Sequence, residues 1–141
     1  MAIQTTEQRV QPVTGTHVVR VQHEGLVTAD PERAKDFYCR VLGFQVLPRP
    51  AFRSHGYWLG TQGIFPQIHL IQSDQVPPGP GAALSPLVRH TCFEVADLEA
   101  MKATLTREGI EFVENTQPGG GVQVLCNDPD GNTLEFQRAT V

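Results

Sequence analysis

Short runs of alternating apolar and polar residues, typical of β-strands, make up most of the chain, and two longer stretches have helical spacing. In the first of these stretches, Phe37, Val41 and Leu42 recur at the spacing of one apolar helix face. Asp30 before the stretch is suited to cap a helix, and Gly43 after it is suited to end one. The pattern predicts strands at 17–28, 44–47, 57–60, 65–72, 87–95, 111–114, 122–126 and 132–137, and helices at 31–42 and 98–108.

The second half of the chain repeats the first. Ala29-Asp30-Pro31-Glu32 returns as Ala96-Asp97-Leu98-Glu99 after 67 residues, and Gly43-Phe44-Gln45-Val46 returns as Gly109-Ile110-Glu111-Phe112 after 66. The repeat predicts an α+β fold in which two tandem βαβββ modules form a curved mixed sheet around a cleft. We expect one structural domain with a flexible N-terminal tail (1–16), a first module (17–73), a Pro/Gly-rich linker (74–86) and a second module (87–141).

The repeat also pairs four residues that could bind a metal ion in that cleft. The offset of 67 carries His23 onto His90, and the offset of 66 carries His69 onto Glu135. Three imidazoles and one carboxylate favour one divalent transition metal (Ni, Zn, Co, Fe or Mn) over Ca or Mg. Four protein ligands would leave two positions of an octahedron open to water or substrate, which favours a catalytic site over a structural one.

Strand alternation tests whether the four candidates share one face. Successive side chains of a strand point to opposite faces, so a ligand should alternate with apolar residues that pack under a helix. His69, His90 and Glu135 meet this test, whereas His23 fits less well because Glu24 is beside it. The apolar residues opposite the three are Ile68, Leu70, Phe93, Val95, Leu134 and Phe136. We therefore expect the ligands to point into the concave side of the sheet.

A stretch of Arg and aromatic residues in the first module is a candidate for substrate binding. Arg49, Arg53, Tyr57 and Trp58 would together suit an anionic or aromatic substrate. The same stretch is equally consistent with a surface hairpin that has aromatic core anchors, so both interpretations stay open.

Composition and charge narrow the class of partner. The chain has 11 Lys and Arg against 15 Asp and Glu, a net charge of −4 with no basic run, which predicts neither nucleic-acid nor membrane binding. Cys39, Cys92 and Cys126 are odd in number and widely spaced, which argues against a disulfide framework. The N-terminal residues lack the pattern of a secretory signal. We therefore expect a cytoplasmic protein that acts on a small-molecule substrate.

Several segments around these positions resemble a known family. They are His23-Glu24-Gly25-Leu26, Asp30-Pro-Glu-Arg-Ala-Lys-Asp-Phe-Tyr-Cys-Arg-Val-Leu-Gly-Phe44, Arg89-His90-Thr91 and Asp128-Pro-Asp-Gly-Asn-Thr-Leu-Glu-Phe136. Over residues 17–138 the chain resembles the vicinal oxygen chelate superfamily, which includes glyoxalase I, methylmalonyl-CoA epimerase, extradiol dioxygenases, and fosfomycin and bleomycin resistance proteins. The resemblance implies metal-binding roles for all four candidates, a homodimer, and a lyase or isomerase reaction of the glyoxalase I type. It also implies that Glu135 is both ligand and general base, while the metal stabilises an enediolate.

Two departures from bacterial glyoxalase I keep other activities open. That enzyme usually has a carboxylate where this chain has His69, and the position of its glutathione-contacting Arg holds Pro48, with Arg49 displaced by one. Glutathione therefore stays an open choice of cosubstrate. One alternative is a non-haem iron extradiol-type dioxygenase, a chemistry that typically uses two His and one carboxylate. The other is a ligand-binding or antibiotic-resistance protein of the fosfomycin or bleomycin type.

Overall fold

The computed structural model describes residues 18, 20–61, 64–76 and 84–140. In these ranges the order of elements is strand, helix and three strands, twice over. The strands are β1 Glu24–Thr28, β2 Gln45–Leu47, β3 Gly56–Thr61, β4 Ile64–Gln72, β5 His90–Val95, β6 Phe112–Thr116, β7 Val122–Asn127 and β8 Thr133–Arg138, and the α-helices are α1 Pro31–Asp36 and α2 Leu98–Arg107. The predicted tail at 1–16, the first predicted strand residue at 17, and positions 77–83 of the predicted linker lie outside the described residues.

Each module forms a four-stranded mixed sheet of its own. The strand order is β1-β4-β3-β2 in the first sheet and β5-β8-β7-β6 in the second. Each sheet has one parallel pair, in which Gly25 lies opposite His69 in the first module and Cys92 lies opposite Glu135 in the second. These two registers are related by the offsets of 67 and 66 that the sequence repeat contains. The predicted tandem βαβββ fold is confirmed, with two separate hydrogen-bonded sheets among the described residues.

Both helices begin at the aspartates that the sequence indicated. A side-chain oxygen of Asp30 and one of Asp97 each accept a hydrogen bond from the backbone N–H three residues later, at 3.1 and 3.0 Å. Gly43 and Gly109 follow the two helical stretches with φ of +81° and +69°, a left-handed conformation that glycine adopts without strain. The local capping signals are therefore sufficient to set both ends of each helical stretch.

The first helical stretch differs from the prediction in its second half. α1 ends at Asp36, and the chain continues as a π-helical turn over Phe37–Val41. Phe37, Tyr38 and Val41 are all buried by this turn. The spacing of apolar residues predicted one helix to residue 42, because it does not record the contact that the Tyr38 hydroxyl makes with the second module.

Tyr38 and Arg33 join the first module to the turn between β7 and β8. The Tyr38 hydroxyl donates a 2.7 Å hydrogen bond to Asp128 Oδ2, and Arg33 Nη2 lies 3.0 Å from Asp130 Oδ1. Asp128 and Asp130 are only 2% and 3% exposed, so both carboxylates depend on these partners. Burial raises the pKa of Asp128, although hydrogen bonds from Asn132 and Tyr38 oppose the rise. These contacts fix how the two modules pack.

The two modules also share an apolar core. Phe44 of the first module packs edge-on against Phe93 of the second, with ring centroids 5.4 Å apart. The residues opposite the candidate ligands contribute to this core as strand alternation predicted: Ile68, Leu70, Leu134 and Phe136 are buried, and Phe93 and Val95 pack against them. The faces that carry the ligands are therefore the faces turned away from the helices. In the described ranges no helix has the length and apolar character needed to cross a membrane.

Candidate metal centre

The candidate ligands lie in equivalent places on the two sheets. His23 immediately precedes β1, and His90 is the first residue of β5. Each histidine lies two residues before the strand position that pairs with the other candidate ligand of its module. That other ligand is His69 of β4 in the first module and Glu135 of β8 in the second. Because side chains two residues apart share a face, each histidine is directed to the same side of its sheet as its partner. The duplicated backbone thus brings two ligand candidates together in each module.

In the first module the two histidines belong to a stack of three rings. The centroids of the His23 and His69 rings are 3.7 Å apart, with an interplanar angle of 14°. The Trp58 ring also stacks on His69, with a centroid distance of 4.7 Å and an angle of 14°. Trp58 lies directly opposite His69 in the β3–β4 register, which explains the overlap of their rings. The stack holds the His69 ring in one orientation.

The electrostatics of His69 suit a neutral ligand. Its Nε2 atom is buried and has no hydrogen-bond partner in the structure. Burial, followed by the positive charges of His23 and Arg49, lowers the pKa of His69. Neutral imidazole is the form that binds a metal ion, and a buried nitrogen without a partner is costly unless it binds something. His69 is therefore prepared to bind a cation through Nε2.

In the second module His90 and Glu135 face each other. His90 Nε2 lies 2.9 Å from Glu135 Oε2, while His90 Nδ1 lies 2.7 Å from the backbone oxygen of Val88. A proton on Nδ1 would be donated to that carbonyl and would leave Nε2 with a free lone pair, which is the usual arrangement of a metal-binding histidine. Glu135 Oε2 has no partner with hydrogen-bond geometry despite its closeness to His90. One shared cation would satisfy both atoms.

The other oxygen of Glu135 is bound by amides. Gln123 Nε2 and Gln137 Nε2 donate to Oε1 at 2.8 and 2.5 Å, and the Cys92 thiol lies 3.6 Å from it. Glu135 is 1% exposed. Burial raises the pKa of Glu135, but the hydrogen bonds from Gln137 and Gln123 and the nearby His90 outweigh it, so the pKa is lowered. The carboxylate is thus ionised, with one oxygen occupied and one left for the site.

The four predicted ligands come together as two pairs in a single chain. Among the described residues, no group of three or more His, Cys, Asp or Glu side chains lies close enough to hold one metal ion. His23 and His90 are the exposed members of the two pairs, and His69 and Glu135 are the more buried ones. Convergence of all four on one ion therefore stays a prediction, and it requires the two pairs to meet.

Two of the four candidate substrate-binding residues lie beside His69. Arg49, Phe52, Trp58 and His69 help to line a small pocket of about 220 Å³. The Arg49 guanidinium lies over the Phe52 ring at 4.7 Å and donates to the Ser54 backbone oxygen at 3.0 Å. The pocket therefore combines aromatic walls with a positive charge.

The structure does not bring the other two candidates to this pocket. Arg53 is exposed in the loop between β2 and β3. Tyr57 is next to Trp58 in β3 and so points to the opposite face, where its hydroxyl donates to Glu32 of α1. Tyr57 thus matches the interpretation as an anchor between strand and helix, whereas Trp58 lies with the ligands.

Glu24, which does not fit the alternation of β1, makes an ion pair across the two modules. Glu24 Oε1 lies 3.5 Å from Nη2 of Arg89, and Arg89 is the residue before His90 in the chain. The contact links the beginning of β1 to the beginning of β5, where His23 and His90 lie. The ion pair therefore links the two strand ends, at the surface of one chain, that carry the exposed histidines of the two pairs.

Sequence reasoning missed the amides around Glu135. Gln137 is two residues after Glu135 and shares its face, a signal that alternation contains. Gln123 is the one polar residue among the first five of β7, which otherwise read Val122, Val124, Leu125 and Cys126. Asn115 then lies opposite Gln123 in the β6–β7 register and donates to it. The contacts of Asn115 and Gln123 depend on strand pairing, which the sequence pattern does not specify residue by residue.

Comparison with known proteins agrees with the two-module fold. The family model described as the Glyoxalase/Bleomycin resistance protein/Dioxygenase superfamily matches residues 17–136. A relative from Arabidopsis thaliana named Glyoxylase I 4 is 29% identical over 125 residues, 85% of this chain and 71% of the relative. A Pseudomonas aeruginosa protein named lactoylglutathione lyase is 26% identical, with 94% of this chain and 89% of that protein covered. The solved structure of a glyoxalase family protein from Bacillus anthracis has the same fold, with a TM-score of 0.73, 22% identity, and 89% and 98% of the two chains covered.

Proposed function

The chain belongs to the Glyoxalase/Bleomycin resistance protein/Dioxygenase superfamily, and we propose that it is a divalent-metal-dependent lyase or isomerase acting on a small carbonyl or thiol-hemiacetal substrate. One observation carries the proposal. His69 Nε2 and Glu135 Oε2 are buried ligand atoms without hydrogen-bond partners, and each has a histidine beside it. The relatives named lactoylglutathione lyase and Glyoxylase I 4 support this class of reaction.

The residues of the two pairs fit a divalent transition metal. Three imidazole nitrogens and one carboxylate oxygen suit Ni, Zn, Co, Fe or Mn, and open positions would remain for a substrate. His23, His69, His90 and Glu135 would hold the ion. When bound, the ion supplies Lewis-acid polarisation of a substrate carbonyl.

Glu135 is the residue that would move the proton. Its Oε1 is held by two amides, so the lone pairs of Oε2 are the ones directed toward the site. As an ionised carboxylate it takes a proton from the carbon next to the substrate carbonyl and returns it to the neighbouring carbon, which is the work of a general base. Arg49 and Trp58 bind the remainder of the substrate, the first by charge and the second by its ring face. Arg53 is exposed nearby and would attract an anionic substrate.

A homodimer accounts for the separation of the two pairs. His23 and His90 are exposed in a single chain, and the described residues hold no complete set of ligands. A second copy of the chain would complete the site if its His90 and Glu135 faced the His23 and His69 of the first copy. The described thiols Cys39, Cys92 and Cys126 are free, which suits the reducing cytoplasm that we propose as the location of the protein.

Metal analysis of the purified protein tests the proposal first. We expect about one divalent transition ion per chain after reloading, bound by a dimer in sedimentation measurements. Uptake of less than about one-tenth equivalent of every transition metal offered would overturn the metal-dependent function.

Turnover then tests the reaction class. We expect the metal-loaded protein to convert the hemithioacetal of a 2-oxoaldehyde, formed with glutathione or a smaller thiol, and comparison of the thiols identifies the cosubstrate. Oxygen uptake with catechols by the iron-loaded protein, without any isomerisation, would favour a dioxygenase instead. Tight binding of a fosfomycin-like or bleomycin-like ligand without turnover under any metal would favour a ligand-binding protein.

A further inference from the structure

We propose that Gln123 is a positioning residue for Glu135: with Asn115 behind it, Gln123 holds one carboxylate oxygen and thereby directs the other oxygen to the metal. The inference rests on the proposed metal-binding role of Glu135 and deepens it. It concerns how the carboxylate is oriented before any ion binds.

The Gln123 amide is buried and fully hydrogen-bonded. Gln123 is 7% exposed, and the three residues that follow it in β7 (Val124, Leu125 and Cys126) are fully buried. An amide in such surroundings is costly unless both its donor and its acceptor are satisfied. Both ends of this amide are used, since Gln123 Oε1 accepts from Asn115 Nδ2 at 2.5 Å and Nε2 donates to Glu135 Oε1 at 2.8 Å.

The hydrogen bonds from Asn115 through Gln123 to Glu135 all run in one direction. The NH₂ group of Asn115 can only donate, so it binds the oxygen of Gln123 and turns the NH₂ group of Gln123 toward Glu135. Without Asn115 the buried oxygen of Gln123 would lose its donor, and the Gln123 side chain would no longer be held in the position from which it donates to Glu135. Asn115 therefore acts on Glu135 through Gln123.

The two oxygens of Glu135 have different surroundings. Gln137 Nε2 also donates to Oε1, at 2.5 Å, so two amides bind the same oxygen. Oε2 receives no hydrogen bond and lies 2.9 Å from His90 Nε2. Because rotation of the carboxylate would break both amide contacts, Oε2 stays directed at His90.

The test is the affinity of the apoprotein for Ni²⁺, measured by competition with a chromogenic chelator. We expect Gln123→Leu, which keeps the size of the side chain but cannot donate, to weaken Ni²⁺ binding by about 10- to 100-fold, the usual effect of losing a partner of a metal ligand. Gln45→Leu is the matched control, because Gln45 is an exposed strand residue of the other module. We expect its Ni²⁺ affinity to equal that of the wild type.

A double-mutant cycle separates positioning from general stabilisation. Asn115→Leu alone should weaken Ni²⁺ binding, whereas in the Gln123→Leu background it should have no further effect, because its influence passes through Gln123. Urea unfolding of each apoprotein is measured in parallel. A purely structural role of the two amides would lower the unfolding midpoint and leave the Ni²⁺ dissociation constant unchanged.

The outcomes distinguish this inference from the proposed function. If the wild type does not bind Ni²⁺ or any other transition metal, the proposed function fails and the inference fails with it. If the wild type binds and Gln123→Leu binds equally well, only the inference is overturned. If Gln123→Leu does not fold, Asn115→Leu decides alone, and an unchanged Ni²⁺ affinity of that variant would overturn the inference.

Discussion

The two modules present their candidate ligands from the same backbone position but surround them with different chemistry. In the first module His69 lies opposite Trp58 and is stacked between rings. In the second module Glu135 lies opposite Leu125, and its neighbours in the site are amides. Ile71, two residues after His69, corresponds to Gln137, two residues after Glu135.

This difference follows from what each ligand requires. An imidazole that must stay neutral is favoured by burial and by nearby positive charge, which here comes from His23 and Arg49; together they lower the pKa of His69. A buried carboxylate must stay ionised, and it needs hydrogen-bond donors that compensate its burial. Duplication has kept the strand register, which sets where a ligand points, while the side chains around it differ with the ligand.

The largest expected effect comes from replacing each of the two ligands, in turn, by glutamine. Glu135→Gln removes the proposed base but keeps an oxygen ligand, so we expect turnover to fall by about 10²- to 10⁴-fold while metal binding is only weakened. His69→Gln exchanges a strong imidazole ligand for a weaker amide oxygen and leaves the base in place, so excess metal should restore much of its turnover. Rates measured across a metal titration compare the variants. Equal loss in both, or intact turnover in Glu135→Gln, would show that Glu135 is not the base.

A second comparison concerns the buried residues of the helical stretches. Leu105 in α2 corresponds to Tyr38 in the π turn by the offset of 67, and both are fully buried. We expect Leu105→Ala to lower the free energy of unfolding by about 2–5 kcal/mol, because it leaves a cavity in the shared core. Urea unfolding followed by circular dichroism measures it. A loss below about 1 kcal/mol would mean that the core around α2 relaxes to fill the space.

Tyr38→Phe tests the contact that only the first module makes. It keeps the ring but removes the hydroxyl that donates to Asp128, so we expect a loss of about 1.5–3 kcal/mol in the free energy of unfolding. The same urea experiment applies. Tyr57→Phe is the control, because it removes a hydroxyl whose hydrogen bond, to Glu32, is exposed to solvent. Stability equal to that of the wild type would show that the hydrogen bond between the modules contributes nothing net.

A smaller effect, but a direct one, concerns the single tryptophan of the chain. Because the Trp58 ring stacks on His69 at 4.7 Å, metal binding to His69 should change Trp58 emission. We expect fluorescence to follow the binding curve in the wild type and to stay constant in His69→Gln at the same metal concentrations. Emission that does not change while calorimetry detects binding would place the bound ion away from the first module.

The smallest effect is expected at the ion pair between the two halves of the site. Arg89 is 92% exposed in its pair with Glu24. An exposed pair contributes little, so Arg89→Ala should change the free energy of unfolding by less than about 0.5 kcal/mol. A larger loss, measured in the same urea series, would indicate that the strand ends depend on this contact for their position.

Much of the fold followed from local pattern. The repeat specified the order of the elements in both modules, and Asp30, Asp97, Gly43 and Gly109 marked the helix ends because caps are local. Alternation predicted which strand residues enter the core. It also predicted that His69, His90 and Glu135 lie on the opposite face, whereas His23 did not fit the alternation as well.

The rest depended on contacts between distant parts of the chain. The hydrogen bond from Tyr38 to Asp128 joins residues 90 positions apart, so helical periodicity could not reveal the π turn that delivers it. The contacts among Asn115, Gln123 and Glu135 require a strand register that apolar patterning leaves open. Tyr57 and Trp58 were grouped as candidates because they lie in one stretch of Arg and aromatic residues, although neighbouring strand residues point to opposite faces.

The central claim is that His23, His69, His90 and Glu135 bind one ion. An anomalous-scattering map of crystals of the metal-loaded protein, recorded at the absorption edge of the metal, tests this most directly. We expect one strong peak per chain at about 2.0–2.2 Å from both His69 Nε2 and Glu135 Oε2, with the two atoms contributed by one copy or by two. A peak bound by other residues, or none at these atoms in fully loaded protein, would contradict it.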